Sequence, residues 1–345
     1  MEVYCMLERL LNELCALSGP SGREEAVREY IIARLGEIPY TVDALGNLIV
    51  SVRGKRPAKH TVALFAHMDE VGVMATFVRA DGLVHFTTVG GIQGTALAGK
   101  AVAFENGAYG VIGLKPLHLC GGDERGKAPE PADLLIDVGA SSRETCPVAP
   151  GDTAVFLPGV ARLGEHKLLS KAIDDRAGCA VLLDMILAGP EYDTVFCFTV
   201  QEEVGLRGAK TAAFGARPEY AVVIEGTTAA DVADAEENAR VCVQGKGACV
   251  SLMDRATVYS PALVARVFEI ARENGVPAQP KTAVAGGNDA GSVHVSGEGV
   301  KTVTLNVPTR YIHSPSSVCD LRDLHAVRAL AEKVSAAFAN GSAGV

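Results

Sequence analysis

The chain has 345 residues, with 32 basic and 41 acidic side chains, a formal charge of −9, 48% hydrophobic residues and 21% charged ones. Disorder is excluded, since it needs fewer apolar residues and a larger charge imbalance. The acidic balance argues against nucleic acid or anionic membrane as partners, because phosphate contacts need clustered Lys and Arg.

The length suits one large domain or two ordinary ones. The opening Met1-Glu2-Val3-Tyr4-Cys5 carries an early acid and no basic region, unlike a secretory signal. No segment offers the roughly 18 apolar residues of a membrane span. The nine cysteines include no CxxC pair, the closest two being Cys242 and Cys249, and most lie in apolar runs. They are expected to be reduced core residues of a cytoplasmic protein.

In chain order, Leu7, Leu10, Leu11, Leu14 and Leu17 follow the spacing of one helix face. Ser18-Gly19-Pro20-Ser21-Gly22 breaks that helix. Ser21 with Glu24 then reads as a capping box for a second helix, with Val27, Tyr30, Ile31 and Leu35 inward. Residues 43–53 read as two short strands around Leu45-Gly46-Asn47. Residues 61–67 (TVALFAH) form a continuous apolar run, as a strand buried on both faces does, and similar runs recur at 194–200, 220–224 and 301–307. Helices are expected at 176–187, 261–274 and 320–340. Buried strands alternating with helices predict a layered α/β/α domain. Residues 73–165 interrupt the alternation: they are rich in Gly, carry short β-like pieces and lack a helix of useful length. They are expected to form a small all-β domain inserted between residues 1–72 and 166–345, with a surface loop at 119–131.

Ligands of open α/β sheets sit beyond the carboxyl ends of the strands, and here those ends share a chemistry. The first run leads into His67-Met68-Asp69-Glu70. The inserted segment is followed by Asp174-Asp175 at the start of a helix. The second run leads into Glu202-Glu203, the third into Glu225, and the last reaches His313. Singly, each has an ordinary explanation: a core histidine, a helix-capping aspartate, a solvated pair of glutamates, an ion-paired acid, a surface histidine. Five together are poorly explained that way. Two imidazoles with three or four carboxylates suit a pair of divalent ions of zinc type, since a carboxylate can bridge two cations. Such a pair polarises a carbonyl and activates water, and a further carboxylate can carry the proton.

The motifs SGPSGREE (18–25), DALGNLIV (43–50), AHMDEVG (66–72), KAIDDRAG (171–178), VQEEVGLRGA (200–209), AGGNDAGS (285–292) and PTRYIHSP (308–315), in this order, resemble those of the metallo-aminopeptidase family numbered forty-two. That family holds glutamyl, deblocking and tetrahedral (TET) aminopeptidases, and some members carry an older endoglucanase label. KPLHL (115–119) and APGDTAVF (149–156) extend the likeness into the inserted segment. The resemblance implies an aminopeptidase acting on peptides, with two divalent metal ions per subunit, zinc or cobalt foremost and manganese also suitable. By the same resemblance His67, Asp174 and Glu225 bind one ion, Asp174, Glu203 and His313 bind the other, and Glu202 is the general base. Asp69 would orient the His67 ring, and Asp289 would act similarly near His313. Position 225 departs from the family, which usually has Asp there. The inserted domain would be PDZ-like and dimerising, with dimers assembling into a tetrahedral dodecamer. Competing expectations are a deacylase of small N-acyl compounds and a non-catalytic scaffold of the same fold. A glycosidase fits poorly, because it needs an opposed carboxylate pair and no metal. Arg207, Lys171 and Arg255 are candidate selectors of the N-terminal residue.

Overall fold

The computed structural model describes residues 5–122 and 126–342. In chain order its helices are α1 (Met6–Ala16), α2 (Glu25–Leu35), α3 (Gly94–Leu97), α4 (Ile173–Ala188), α5 (Arg207–Ala216), α6 (Pro261–Glu273), α7 (Ala290–Val293) and α8 (Leu321–Asn340). The strands are β1 (Tyr40–Val42), β2 (Leu48–Val52), β3 (Val62–His67), β4 (Gly72–Val78), β5 (Val84–Val89), β6 (Ala101–Phe104), β7 (Tyr109–Gly113), β8 (Leu135–Asp137), β9 (Thr153–Phe156), β10 (Ala161–Leu163), β11 (Lys167–Ser170), β12 (Thr194–Thr199), β13 (Tyr220–Thr228), β14 (Ala248–Ser251), β15 (Ala278–Lys281), β16 (Lys301–Arg310) and β17 (Ser317–Asp320).

An 11-stranded sheet runs in the order β1-β2-β12-β3-β13-β16-β17-β11-β10, with β14 and β15 branching from β16. The four central strands β12, β3, β13 and β16 are parallel neighbours, so their carboxyl ends emerge on one edge. Every β3 residue is buried, as its unbroken apolar run predicts for a strand covered on both faces. Helix α4 packs on β3 and β13, and α8 packs on α4 and β16; α5 and α7 pack together and against β12 and β16 respectively. The arrangement is the expected layered α/β fold. Helix α1 buries Leu7, Leu10, Leu11 and Leu14 of the predicted face, while Leu17 falls just past its end and is half-buried.

Strands β4 to β9 close a separate six-stranded barrel in the order β4-β5-β8-β7-β6-β9. It has its own apolar core, including Val84, Phe86, Val102, Ile112, Ile136 and Phe156. Its helical pieces among the described residues are short. The strands β10 and β11 that follow it pair with each other and rejoin the large sheet through β17.

Two local expectations fail. Ser21 does not cap α2: its hydroxyl donates to Asp69 Oδ2 at 2.6 Å. Glu24 reaches back to the Gly22 amide at 2.7 Å and also accepts from the Gln201 amide at 3.1 Å. The tertiary partners outcompete the local cap. Strand β13 also runs on to Thr228, four residues past the expected end at Ile224, because β16 pairs with it as far as Thr309.

Candidate metal centre

The parallel edge collects the predicted residues. His67 is the last residue of β3, Glu202 and Glu203 follow β12, Glu225 lies within β13, and His313 follows β16. Asp174 arrives from the first turn of α4, where Asp174 and Asp175 depart from helical geometry and the peptide between them is cis. His67 Nε2 lies 3.3 Å from Asp174 Oδ1, 3.2 Å from Glu225 Oε1 and 3.9 Å from Glu202 Oε2. His313 Nε2 lies 3.6 Å from Asp174 Oδ2 and 3.2 Å from Glu203 Oε1. The two oxygens of Asp174 therefore face different imidazoles.

The cluster is deeply buried at His67, 1% exposed, and Glu225, 5%, and half-buried at Asp174, Glu203 and His313. Among the described residues no Lys or Arg pairs with its carboxylates. Asp174 Oδ1, Glu203 Oε1 and Glu225 Oε2 are buried with no hydrogen-bond partner. Three acidic oxygens beside one ring nitrogen exceed what a single N–H can satisfy, and buried anions without a counter-charge are costly. A divalent cation removes that cost, so the donor set fits one. Close backbone approach has been arranged for it too: a Cβ on Gly226 would lie 2.9 Å from Asp174 Oδ1.

Electrostatics without a cation point the same way. Burial pushes the Glu225 and Glu202 carboxyls well above the usual carboxylate range, against the nearby His67 charge. Burial disfavours the His313 cation, yet the adjacent Asp174 and Glu203 carboxylates outweigh this and raise it to about 11. Burial likewise opposes charge on His67, but Glu225, Asp174 and Asp69 together hold its proton well above the ordinary 6.5.

Supporting contacts fix these side chains. His67 Nδ1 lies 3.0 Å from the Asp69 carbonyl and 3.4 Å from its carboxylate. The Asp69 carboxylate in turn accepts from the amides of Glu202 and Glu203 at 3.0 and 3.1 Å. Strand β3 ends at His67, so Asp69 meets the ring from the loop rather than by strand alternation. Asp289 is not beside His313 as expected; it accepts from Thr199 at 2.5 Å, and His313 Nδ1 donates instead to the Gly91 carbonyl at 2.7 Å. Gly91 belongs to the segment after β5, and no periodicity or motif in the sequence marks it. Asp175 also comes within 4.8 Å of His67 and Glu225. Its oxygens, however, accept from the Gly178 amide at 2.9 Å and the His67 amide at 3.3 Å, so it serves as the helix cap while Asp174 is left for other duty.

Residues 46–330 match the family described as M42 glutamyl aminopeptidase. The chain belongs to that family. It is 32% identical to the lysyl aminopeptidase of Pyrococcus furiosus, over 91% of this chain and 92% of that one. Its fold superposes with a TM-score of 0.88 on an aminopeptidase from the archaeon Desulfurococcus kamchatkensis, at 34% identity, covering 95% and 93% of the two chains. The TET1 peptidase of Pyrococcus horikoshii, which can assemble into a tetrahedron or a large octahedral shell, gives 0.83 at 34% identity, covering 95% and 99%. The M42 chain is thus an aminopeptidase, a hydrolase of a metal-dependent family, and the deacylase and scaffold alternatives are not favoured. The names of its relatives differ in the N-terminal residue removed, glutamyl or lysyl.

Proposed function

We propose that two divalent cations, of the zinc, cobalt or manganese kind, serve this aminopeptidase side by side. His67, Asp174 and Glu225 hold one; Asp174, Glu203 and His313 hold the other. The observation that carries this is Asp174, whose two oxygens face separate imidazoles and one of which is buried without a partner. The glutamate at position 225 supports the same set, since its longer side chain still comes within 3.2 Å of His67 Nε2.

When bound, such cations polarise the scissile carbonyl and acidify the attacking water. The protein's own residues do the rest. Glu202 accepts the proton as the water oxygen bonds to the carbonyl carbon. As the C–N bond breaks, Glu202 returns that proton to the departing amine nitrogen. Asp69 holds the backbone of Glu202 and the ring of His67 in one frame, so base and ligand keep their spacing. Glu202→Gln, purified with its metal content unchanged, is expected to lose about 10²- to 10⁴-fold in kcat on aminoacyl p-nitroanilides. Near-normal turnover by that variant would sink the base assignment.

The division into residues 1–72, 73–165 and 166–345 belongs to the same proposal, with the middle segment dimerising and dimers closing into a tetrahedral dodecamer. Kinship to the TET1 peptidase and the exposed barrel side chains Phe77, Tyr109, Val111 and Leu114 support it. A cytoplasmic setting is supported by nine unpaired cysteines, six of them buried. Among the described residues no helix is long and apolar enough to cross a membrane.

A further inference from the structure

A cavity of about 390 Å³ adjoins the metal cluster, and of the three cations singled out in the sequence only Arg255 lines it. Lys171 is instead buried against Glu70 at 2.6 Å, and Arg207 starts α5 outside the lining. A second group of metal-ligating side chains stands apart from this site, on elements that contribute nothing to it.

That group joins the two ends of the chain. Cys5 is the N-cap residue of α1, and Glu8 lies in the first turn of the same helix. Three residues apart, they share a face. His325 comes from near the start of α8. Cys5 is the one exposed member of the nine cysteines; His325 is also exposed and Glu8 half-buried. The His325 Nε2 atom lies 3.5 Å from Cys5 Sγ and 3.3 Å from Glu8 Oε1, and the three donor atoms all lie within 4.8 Å of one another. The other carboxylate oxygen, Glu8 Oε2, accepts from Arg162 Nη2 at 2.6 Å. That contact fixes the carboxylate and leaves Oε1 facing the ring.

Hydrogen bonding does not account well for this trio. If Nε2 carries the proton and donates to Glu8, the sulfur is left as a weak acceptor of the same N–H; if the thiol donates to Nε2, the carboxylate faces a lone pair. A cation among the three satisfies all of them. Tetrahedral zinc holds sulfur at about 2.3 Å, imidazole nitrogen at about 2.0–2.1 Å and carboxylate oxygen at about 2.0–2.2 Å. At the tetrahedral angle those lengths set sulfur and nitrogen roughly 3.5–3.6 Å apart, and nitrogen and oxygen roughly 3.3–3.5 Å apart. Both printed separations fall in these ranges.

We propose that Cys5, Glu8 and His325 form a surface site for a divalent cation of zinc type, which ties the start of α1 to the start of α8. The thiol gives its proton to water as the sulfur bonds the cation, and His325 binds through neutral Nε2 with its proton on Nδ1. Thiolate and carboxylate together balance the two positive charges, and water takes the fourth position. A soft thiolate favours zinc over magnesium or calcium. This site is independent of the hydrolytic centre, whose proposed ligands are all nitrogen and oxygen.

That difference in ligand chemistry supplies the test. The full-length enzyme, kept reduced with a phosphine, is titrated with Co²⁺. A thiolate-to-cobalt charge-transfer band in the near ultraviolet is expected, which the sulfur-free hydrolytic centre cannot produce. Cys5→Ser and His325→Gln should each lose the band and, by elemental analysis after zinc loading, hold one ion fewer per chain than the parent. Both should keep the parent's kcat on aminoacyl p-nitroanilides. Zinc should also slow amide hydrogen exchange in the first turn of α1 in the parent and not in Cys5→Ser. No band in the parent, or a band of parental strength in Cys5→Ser, would overturn the site. So would a band lost in Cys5→Ser and fully kept in His325→Gln, which would mean a surface thiol acting alone. Equal exchange protection in parent and Cys5→Ser would overturn the tie between the helices. Each comparison is between parent and variant, so failure here leaves the dinuclear reading standing, and failure of that reading leaves this site intact.

Discussion

Two buried charge clusters sit within a few residues of each other and solve the same problem differently. In the first, Glu70 gives both carboxylate oxygens to Lys171 at 2.6 and 2.8 Å, and Arg176 adds a contact at 3.3 Å. Lys171 and Arg176 spend further donors on the Leu17 and Leu14 carbonyls, both at 2.7 Å. In the second, Asp174, Glu203 and Glu225 have only imidazoles beside them and keep buried oxygens without partners. The same two stretches, residues 67–70 and 171–176, feed both clusters. One is closed within the chain; the other is left short of positive charge. Burial alone therefore does not mark a functional site. An unmet counter-charge does.

Four experiments break or sharpen this contrast. The largest effect is expected from Asp174→Ala, which should cut bound metal below two ions per chain by elemental analysis and lower kcat by roughly 10³-fold, the several kcal/mol such cations supply. Unchanged metal content would break the comparison at its centre. Next, Glu70→Gln should destabilise the fold by about 3–5 kcal/mol, because two buried cations lose their anion. Denaturant melts with and without metal should show the same loss, since this cluster needs no external ion. Chelation should act the other way round. Leaving the Glu70 cluster intact, it should remove about 2.7 kcal/mol of stability relative to metal held at a hundredfold above its dissociation constant, seen as a lower Tm by calorimetry. A Tm indifferent to chelator would count against a buried cation centre. The smallest change is expected for Ser21→Ala, which removes one of several hydrogen bonds to Asp69 and should cost about 0.5–1.5 kcal/mol, with metal content retained.

Much of the centre was legible before the fold was known, for identifiable reasons. His67, Asp174, Glu202, Glu203, Glu225 and His313 each follow or interrupt a stretch with a strong local pattern. Apolar runs of strand length mark the parallel strands, and parallel strands present their carboxyl ends together. The barrel was legible as an interruption of that pattern, and its strands fell close to the β-like pieces. The misses share another property. Ser21 looked like a cap, Glu225 like a strand end, and Asp289 like a partner of His313. In each case the deciding contact comes from far along the chain: Asp69 for Ser21, the β16 ladder for Glu225, Thr199 for Asp289. Local propensity is worth about a kcal/mol or less per residue, and one buried hydrogen bond can override it.

Composition, hydrophobic period and motif order were enough by themselves to settle the fold class and to nominate the acids and imidazoles, because these depend on near neighbours in the chain. Tertiary structure alone decided which buried charges are self-contained. Lys171 and Lys281 are both lysines in strand-terminal segments, and both are almost fully buried. Nothing local tells them apart. Folding brings Glu70 to the first and a cavity lined by Asp174 and His313 to the second, since the counter-charge of a buried ion is set by what packs against it from distant elements and not by its neighbours in sequence.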